Sequence, residues 1–284
     1  MAEVKRTYYD SGELRSEWFE INGKKEGECK EYYSNGHLHK IINYVNGKLH
    51  GEYKEFWEYW TKGKVRNIYN YVNGNNHGEY KSYYINGQLH KIYNFVNGRL
   101  HGDYIVYYDE GELCEIYHYN NGKSEGEHKI LYPNGELESI YNCNNDKIEG
   151  EYKSFHKNGQ LHKICNFVNG SLHGECKLFD EIGKLQKLFK YVNGIVYEDK
   201  TFYENGQLYD FSYYINGIQE CDYKSYYKNG QLHEIYNRIN RKYEGEYKSY
   251  HENGQLKVSC NYKNDEVDGE YNEYDEDGNL IKID

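Results

Sequence analysis

Proline is almost missing from this 284-residue chain, with a single copy against 29 glycines. Its turns must therefore be built by glycine and asparagine. Aliphatic mass is also scarce. Mean hydropathy is -1.08 and hydrophobic residues make up 37% of the chain, a share dominated by 37 tyrosines against 9 Phe and 3 Trp. Amphipathic rings in that number suit a half-exposed sheet better than a thick core, and their abundance excludes a disordered chain. Basic excess is absent as well. A formal charge of -11 and no run of more than two Lys or Arg exclude a nucleic-acid binder and work against anionic membranes. No stretch approaches ~18 apolar residues and MAEVKRTYY carries no apolar leader, so the expectation is a soluble, cytoplasmic protein. Seven cysteines without C-x-x-C spacing predict reduced thiols.

What is present is a repeat. Aligned on the pattern Y-Y-x-N-G-x-L, the glycines Gly12, Gly36, Gly63, Gly87, Gly111, Gly135, Gly159, Gly183, Gly206, Gly230, Gly254 and Gly278 define eleven intervals, nine of 24 residues, one of 27 and one of 23. A fixed period over the whole length predicts one continuous array over residues 1–284 in which each unit contacts its neighbours. Each unit holds two turn signals. The first carries Asn-Gly in seven copies, such as Asn35 and Asn86, and this pair predicts a type I′ turn there. The second carries Asn in all eleven copies, from Asn22 to Asn264. Two strands of roughly six residues fit between the turns. The predicted fold is all-β, an elongated single-layer antiparallel meander of about twelve hairpins, with Leu and aromatic residues such as Tyr93 and Phe95 on one face.

The unit from Gly78 to Gly102, GEYKSYYINGQLHKIYNFVNGRLHG, resembles the MORN repeat in its variant tandem form, through its period, both turns and the G-E-Y step at Gly51-Glu52-Tyr53 and Gly150-Glu151-Tyr152. The resemblance covers residues 7–284 and implies consecutive hairpins with roles in protein scaffolding, dimerisation or lipid association. The Asn, Tyr, Lys and Ile bias is similar to that of proteins from giant DNA viruses or protists with A/T-rich genomes.

Candidate chemistry resolves into register. His39, His90, His162 and His233 share one position, and His50, His77, His101 and His173 another. Equivalent positions lie two strands apart, about 10 Å, whereas zinc needs ligands at about 2 Å, so one column cannot chelate. An acid recurs at Glu28, Glu52, Glu79, Asp103, Glu127, Glu151, Glu175, Asp199, Asp222, Glu246 and Glu270, followed two residues on by Lys in most copies, as a solvated face requires. Cys29 and Cys176 replace the Tyr of G-E-Y, Cys165 and Cys260 the Tyr of the second strand, and Cys143 the next aromatic, while Cys114 and Cys221 fall outside the aromatic positions. No enzyme, metal or cofactor is expected.

Two departures stand out. A three-residue insertion near 55–60 gathers Phe56, Trp57, Tyr59 and Trp60, residue types enriched in binding hot spots, as a partner-binding candidate. Units near 184–222 are irregular, which reads as a bend or as drift. The expected function is a non-enzymatic scaffold that binds protein partners, self-association included. A lipid-associating module and an antitoxin-like binder of a toxin partner are the alternatives.

Overall fold

The structure is a computed structural model that describes residues 2–58, 63–215 and 223–283. The chain forms two compact units, Met1–Lys147 and Ile148–Asp284. Each is an antiparallel meander in which a strand pairs with the one before it and the one after it. In the first unit Lys24–Tyr32 pairs with Leu38–Val45, which pairs in turn with Lys48–Phe56. In the second, Leu161–Val168 pairs with Ser171–Phe179, which pairs with Leu185–Val192. No helix occurs among the described residues. These strands run to eight or nine residues, longer than the spacing of turn signals suggests, because the ladder continues up to the turn: Val45 and Lys48 pair across the two residues Asn46 and Gly47.

The type I′ turn lies at the second signal, which corrects the expectation that placed it at the first. Asn46 and Gly47 both have positive φ, 52° and 77°, and Asn22, Asn73, Asn97, Asn121, Asn169 and Asn193 adopt the same left-handed conformation. At the first signal only the glycine is left-handed. The Gly36 amide donates to the Tyr33 carbonyl at 2.9 Å and the Tyr33 amide to the His37 carbonyl at 2.8 Å, a type I turn closed by a glycine bulge. Asparagine is favoured there for its side chain instead. Its carboxamide oxygen accepts the amide two residues on (Asn86 from Gln88, 2.9 Å), and its Nδ2 donates to the carbonyl of the next repeat's turn (Asn86 to Asp109, 2.6 Å; Asn229 to Glu252, 2.8 Å).

Second turns from Asn46 to Asn193 are also bonded backwards. Gly47 donates its amide to the Lys25 carbonyl at 2.9 Å, Gly74 to Leu49 at 2.8 Å and Gly122 to Leu100 at 2.7 Å. Where glycine is replaced by aspartate, φ stays positive (Asp146 67°, Asp265 73°), and the new carboxylate accepts an amide of the preceding repeat, from Ser124 and Tyr243, each at 2.7 Å. That bond offsets the cost of placing a side chain in the left-handed region. Between the turns, the register jumps from Tyr44↔Leu49 to Ile42↔Tyr53 around Gly51, whose φ is 88°. Asn43 spans this bulge and donates to the displaced Glu52 carbonyl at 2.7 Å, and Asn70 repeats the bond to Glu79 at 2.9 Å.

Tyrosine closes the stack. A tyrosine hydroxyl before the first turn donates to the backbone carbonyl 23 residues ahead in six repeats: Tyr9 to Tyr32, Tyr33 to Phe56, Tyr84 to Tyr107, Tyr108 to Leu131, Tyr203 to Tyr226 and Tyr227 to Tyr250, at 2.7 to 2.9 Å. His156 and His251 substitute through Nε2, each at 2.9 Å from the carbonyls of Phe179 and Tyr274. Aromatic rings then run across the strands of the first unit. Tyr53, Tyr69, Tyr80, Tyr93 and Tyr104 follow one another with ring centroids 4.3 to 5.3 Å apart. Tyr117, His128 and Tyr141 continue the row. The most buried hydrophobic side chains among the described residues are small ones at ring positions, Cys29 in the first unit and Cys165, Cys176 and Cys260 in the second.

Two of those replacements meet. Cys165 and Cys176 are register partners on adjacent strands, with Cα atoms 4.2 Å apart and their sulfurs bonded to each other. The expectation of reduced thiols is corrected at this pair, because aromatic positions of consecutive strands face each other directly. Cys29, Cys114, Cys143 and Cys260 are free thiols.

The shortened repeat moves a carboxylate across the sheet. With one residue fewer, Asp199 takes the ring position, register partner of Phe189 and Ser212, and leaves the exposed acid column to which the sequence assigns it. Glu198 takes that column and is 8% exposed, held by Lys190 at 3.1 Å and Lys200 at 2.9 Å. Burial holds the Asp199 carboxyl above the usual carboxylate range, against the opposing effect of the Tyr214 hydroxyl that donates to it at 2.8 Å, and neighbouring Asp210 pushes it the same way as burial. Asp210 itself keeps one buried oxygen without a hydrogen-bond partner.

A folded-state carboxyl raised above its unfolded value retains its proton in the native state, so its favourable contribution is complete below the unfolded value of about 3.9 and is lost as pH rises through the folded one. Asp199→Asn is therefore expected to raise the urea midpoint at neutral pH and to leave it unchanged near pH 3, and a lowered midpoint at neutral pH would contradict this. Removing one tyrosine hydroxyl, Tyr84→Phe, is expected to cost about 1 kcal/mol of unfolding free energy while far-UV circular dichroism is unchanged.

Candidate interaction surfaces

The two faces of the sheet carry different chemistry because side chains alternate along each strand. On the ring-bearing face, a polar row lies beside the aromatic one and receives its hydroxyls. Tyr53 donates to Glu55 at 3.1 Å, Asn67 donates to the same carboxylate at 2.8 Å, and the Tyr80 hydroxyl donates to Asn67 at 2.9 Å. Tyr117 donates to Glu115, and Tyr247 to Glu234 at 3.3 Å. Burial first, and the carboxylates second, push the phenols of Tyr53 and Tyr117 up, and burial with Glu234 pushes Tyr247 up to about 12. These phenols stay protonated and act as donors, which fixes the rings in place.

Histidines at the first shared position pack against the ring before the turn. His39 lies 4.1 Å from Tyr33, His90 4.4 Å from Tyr84 and His233 4.7 Å from Tyr227. Burial lowers the pKa of His39, His90 and His162, so these imidazoles are neutral ring partners at neutral pH. At the second shared position His77 and His101 are exposed, while His50 and His173 are half-buried with Nδ1 shielded. Where that position is acidic it has a role that composition and spacing did not reveal. Glu26, Glu149 and Glu244 accept the amides of Asn46, Asn169 and Asn264 in the following turn at 2.7, 2.7 and 2.9 Å. The signal was available in the sequence as an acid placed 20 residues before a left-handed asparagine. Among the described residues, no group of three or more His, Cys, Asp or Glu is arranged to hold a metal ion.

The opposite face carries ion pairs within single strands. Lys30 binds Glu28 at 2.9 Å, Lys177 binds Glu175 at 2.8 Å, Lys248 binds Glu246 at 2.6 Å, and Lys54, Lys81, Lys129 and Lys153 repeat the arrangement with the acid two residues before them. Exposed pairs of this kind add little stability individually. They neutralise the middle of the face and leave its turn-side margin to other residues. At that margin Ile21, Val45, Val72 and Val96 in the first unit are 38 to 42% exposed, and Val168 and Val192 hold the same position in the second. Each precedes a left-handed asparagine, so the two-residue turn holds it at the end of its strand.

The aromatic insertion is divided. Phe56 is 8% exposed and ends the strand Lys48–Phe56, where its carbonyl receives the Tyr33 hydroxyl. Trp57 is half-buried, with the Arg66 guanidinium 4.8 Å from its ring centroid and its indole N–H shielded without a partner among the described residues. Tyr59 and Trp60 lie outside the described residues, as do Cys221 and Asp222.

Solved structures to which the chain is similar include toxin assemblies. The crystal structure of TcdB2–TccC3–Cdc42 is 11% identical, over 99% of this chain and 19% of the matched one, with a TM-score of 0.19. A Photorhabdus luminescens Tc holotoxin pore is 10% identical, over 96% of this chain and 19% of the other, with a TM-score of 0.18. The chain thus spans about a fifth of the solved chains it matches, and TM-scores this low carry no inference. No curated protein matches it. The MORN repeat variant profile, by contrast, matches residues 25–46, 76–97, 100–121, 124–145, 148–169, 220–240, 243–264 and 267–284, more than half of the chain. With its two-turn hairpins stacked in register, the chain belongs to the MORN repeat variant family.

Proposed function

We propose that this protein is a non-enzymatic repeat scaffold that binds a protein partner through the turn-side margin of its ion-paired face. MORN repeats act generally as scaffolds, and one observation carries the specific reading: four β-branched side chains, Ile21, Val45, Val72 and Val96, stand exposed at one register position of consecutive repeats. Single exposed aliphatic residues are ordinary on any protein, but a row held by equivalent turns is an apolar strip with fixed spacing. The proposal extends to the insertion that carries Phe56, Trp57, Tyr59 and Trp60. There the exposed part of the contact falls to Trp57 among the described residues, since Phe56 is enclosed by the sheet. The formal charge of -11 favours a protein partner over an anionic lipid surface.

Val45→Asp combined with Val72→Asp and Val96→Asp tests the reading. The triple variant is expected to keep the far-UV circular dichroism of the parent, because all three side chains are solvent-facing, and to lose the partner that the parent chain captures from native lysate. Capture of the same partner by the variant would overturn the proposal.

A further inference from the structure

We propose that this margin of the first unit recognises an acidic segment held as a polyproline II helix, with a carboxylate at every third residue. The proposal rests on the scaffold reading only for the premise that the margin meets a protein. Its own basis is a column of cations. The residue after each second turn is Lys24, Lys48, Asn75, Arg99, Lys123 and Lys147 in consecutive repeats, five cations in six positions of a chain whose acids outnumber its bases 46 to 35. All five are exposed and none takes part in an ion pair among the described residues. On the same face Glu28 is engaged with Lys30 at 2.9 Å and Glu52, Glu79 and Glu127 likewise with their own lysines, Asp103 is engaged with His118 at 2.9 Å, and Glu26 accepts the Asn46 amide at 2.7 Å. Two of the cations are instead steered along the column by neutral amides of the next turn: Lys123 reaches the Asn145 oxygen at 3.0 Å and Arg99 that of Asn121 at 3.5 Å. These two heads therefore point along the column, and all five cations remain free of ion pairs among the described residues.

The spacing selects the ligand conformation. Equivalent positions two strands apart are separated by about 9.6 Å. A polyproline II helix has three residues per turn and a rise of about 3.1 Å, so every third side chain points the same way at about 9.3 Å. A bound β-strand would send every third side chain to the opposite side, and its same-face repeat of about 6.8 Å misses the column. An α-helix presents a residue every two turns at about 10.5 Å, which falls out of step by about 1 Å at each cation. The apolar residues between the acids also have a seat. Ile21, Val45 and Val96 are the register partners of Lys24, Lys48 and Arg99, so cation and aliphatic side chain share one face of each hairpin. Acidic disordered tracts already sample the polyproline II conformation, which keeps the ordering cost of binding low.

The test uses the full chain and labelled peptides of about eighteen residues in the repeat Glu-Pro-Val, followed by fluorescence anisotropy. Controls are a peptide of the same composition with its acids gathered in one block, a helical peptide with an acid every seven residues, and phosphatidylserine vesicles. The in-register peptide is expected to bind at least about tenfold more tightly than the block peptide, through many weak contacts made at once. That binding is expected to weaken with added salt, to be lost in Lys48→Glu with Arg99→Glu, and to be kept in Lys48→Arg with Arg99→Lys. Equal binding of the block peptide, tighter binding of the helix or the vesicles, or indifference to charge reversal would overturn the inference. Lysate capture by the parent chain and its loss in the valine variant report on the scaffold reading, whereas the preference for the in-register peptide and its dependence on Lys48 and Arg99 report on this inference, so the two can fail separately.

Discussion

An amide that points backwards holds these hairpins together. The left-handed asparagine of a second turn presents the N–H of the next residue to a carbonyl of the preceding repeat, as Gly47 does to Lys25 and Gly98 does to Asn76. A two-residue turn would otherwise leave that donor to solvent. Here it fixes the offset between successive hairpins, and every other regularity inherits that offset. Tyrosine hydroxyls reach a carbonyl 23 residues ahead, turn asparagines reach the next turn, and rings meet across strands at stacking distance, because the same step is taken each time. A single layer has little buried apolar area, so directional bonds of this kind do much of the work that a thick core does in a globular domain.

Substitutions tolerated by this plan share one property, in that they keep the bond and change the atom that makes it. His156 and His251 replace a tyrosine hydroxyl with an imidazole nitrogen, and Asp146 and Asp265 replace a glycine while adding an acceptor for the preceding repeat. His128 occupies a ring position between Tyr117 and Tyr141, with its Nε2 hydrogen-bonded to the Ser124 hydroxyl at 2.7 Å and its Nδ1 buried without a partner among the described residues. Asp199 is the exception: it entered the ring row because its repeat lost a residue, and burial perturbs its titration. The surface that remains after these bonds are made is regular.

Much of the fold was legible from the residues. The period and the asparagines of the second turn specify the hairpins, and alternation around Tyr93 and Phe95 assigns the ring-bearing face. Register explains the Glu and Lys stripe in advance of any distance. Three things were hidden because they depend on backbone angle or on offset between strands. Asn-Gly at the first turn resembles a type I′ pair, yet Asn86 serves there through its side chain. One missing residue transfers the acid column from Asp199 to Glu198, a shift invisible to a count of residue types. Cys165 and Cys176 each read correctly as ring replacements, but their confrontation requires the pairing of adjacent strands. In the candidate site, the aromatic insertion at Phe56 and Trp57 was visible from composition, whereas the exposed aliphatic and cationic columns emerge only when burial and ion pairing are known.

Native-state amide hydrogen exchange at the second-turn glycines tests the central claim most directly. If the backward bond fixes the stack, the amides of Gly47, Gly74, Gly98 and Gly122 will exchange as slowly as strand amides such as that of Ile92. Exchange at the rate of free, solvated turn amides would contradict the account.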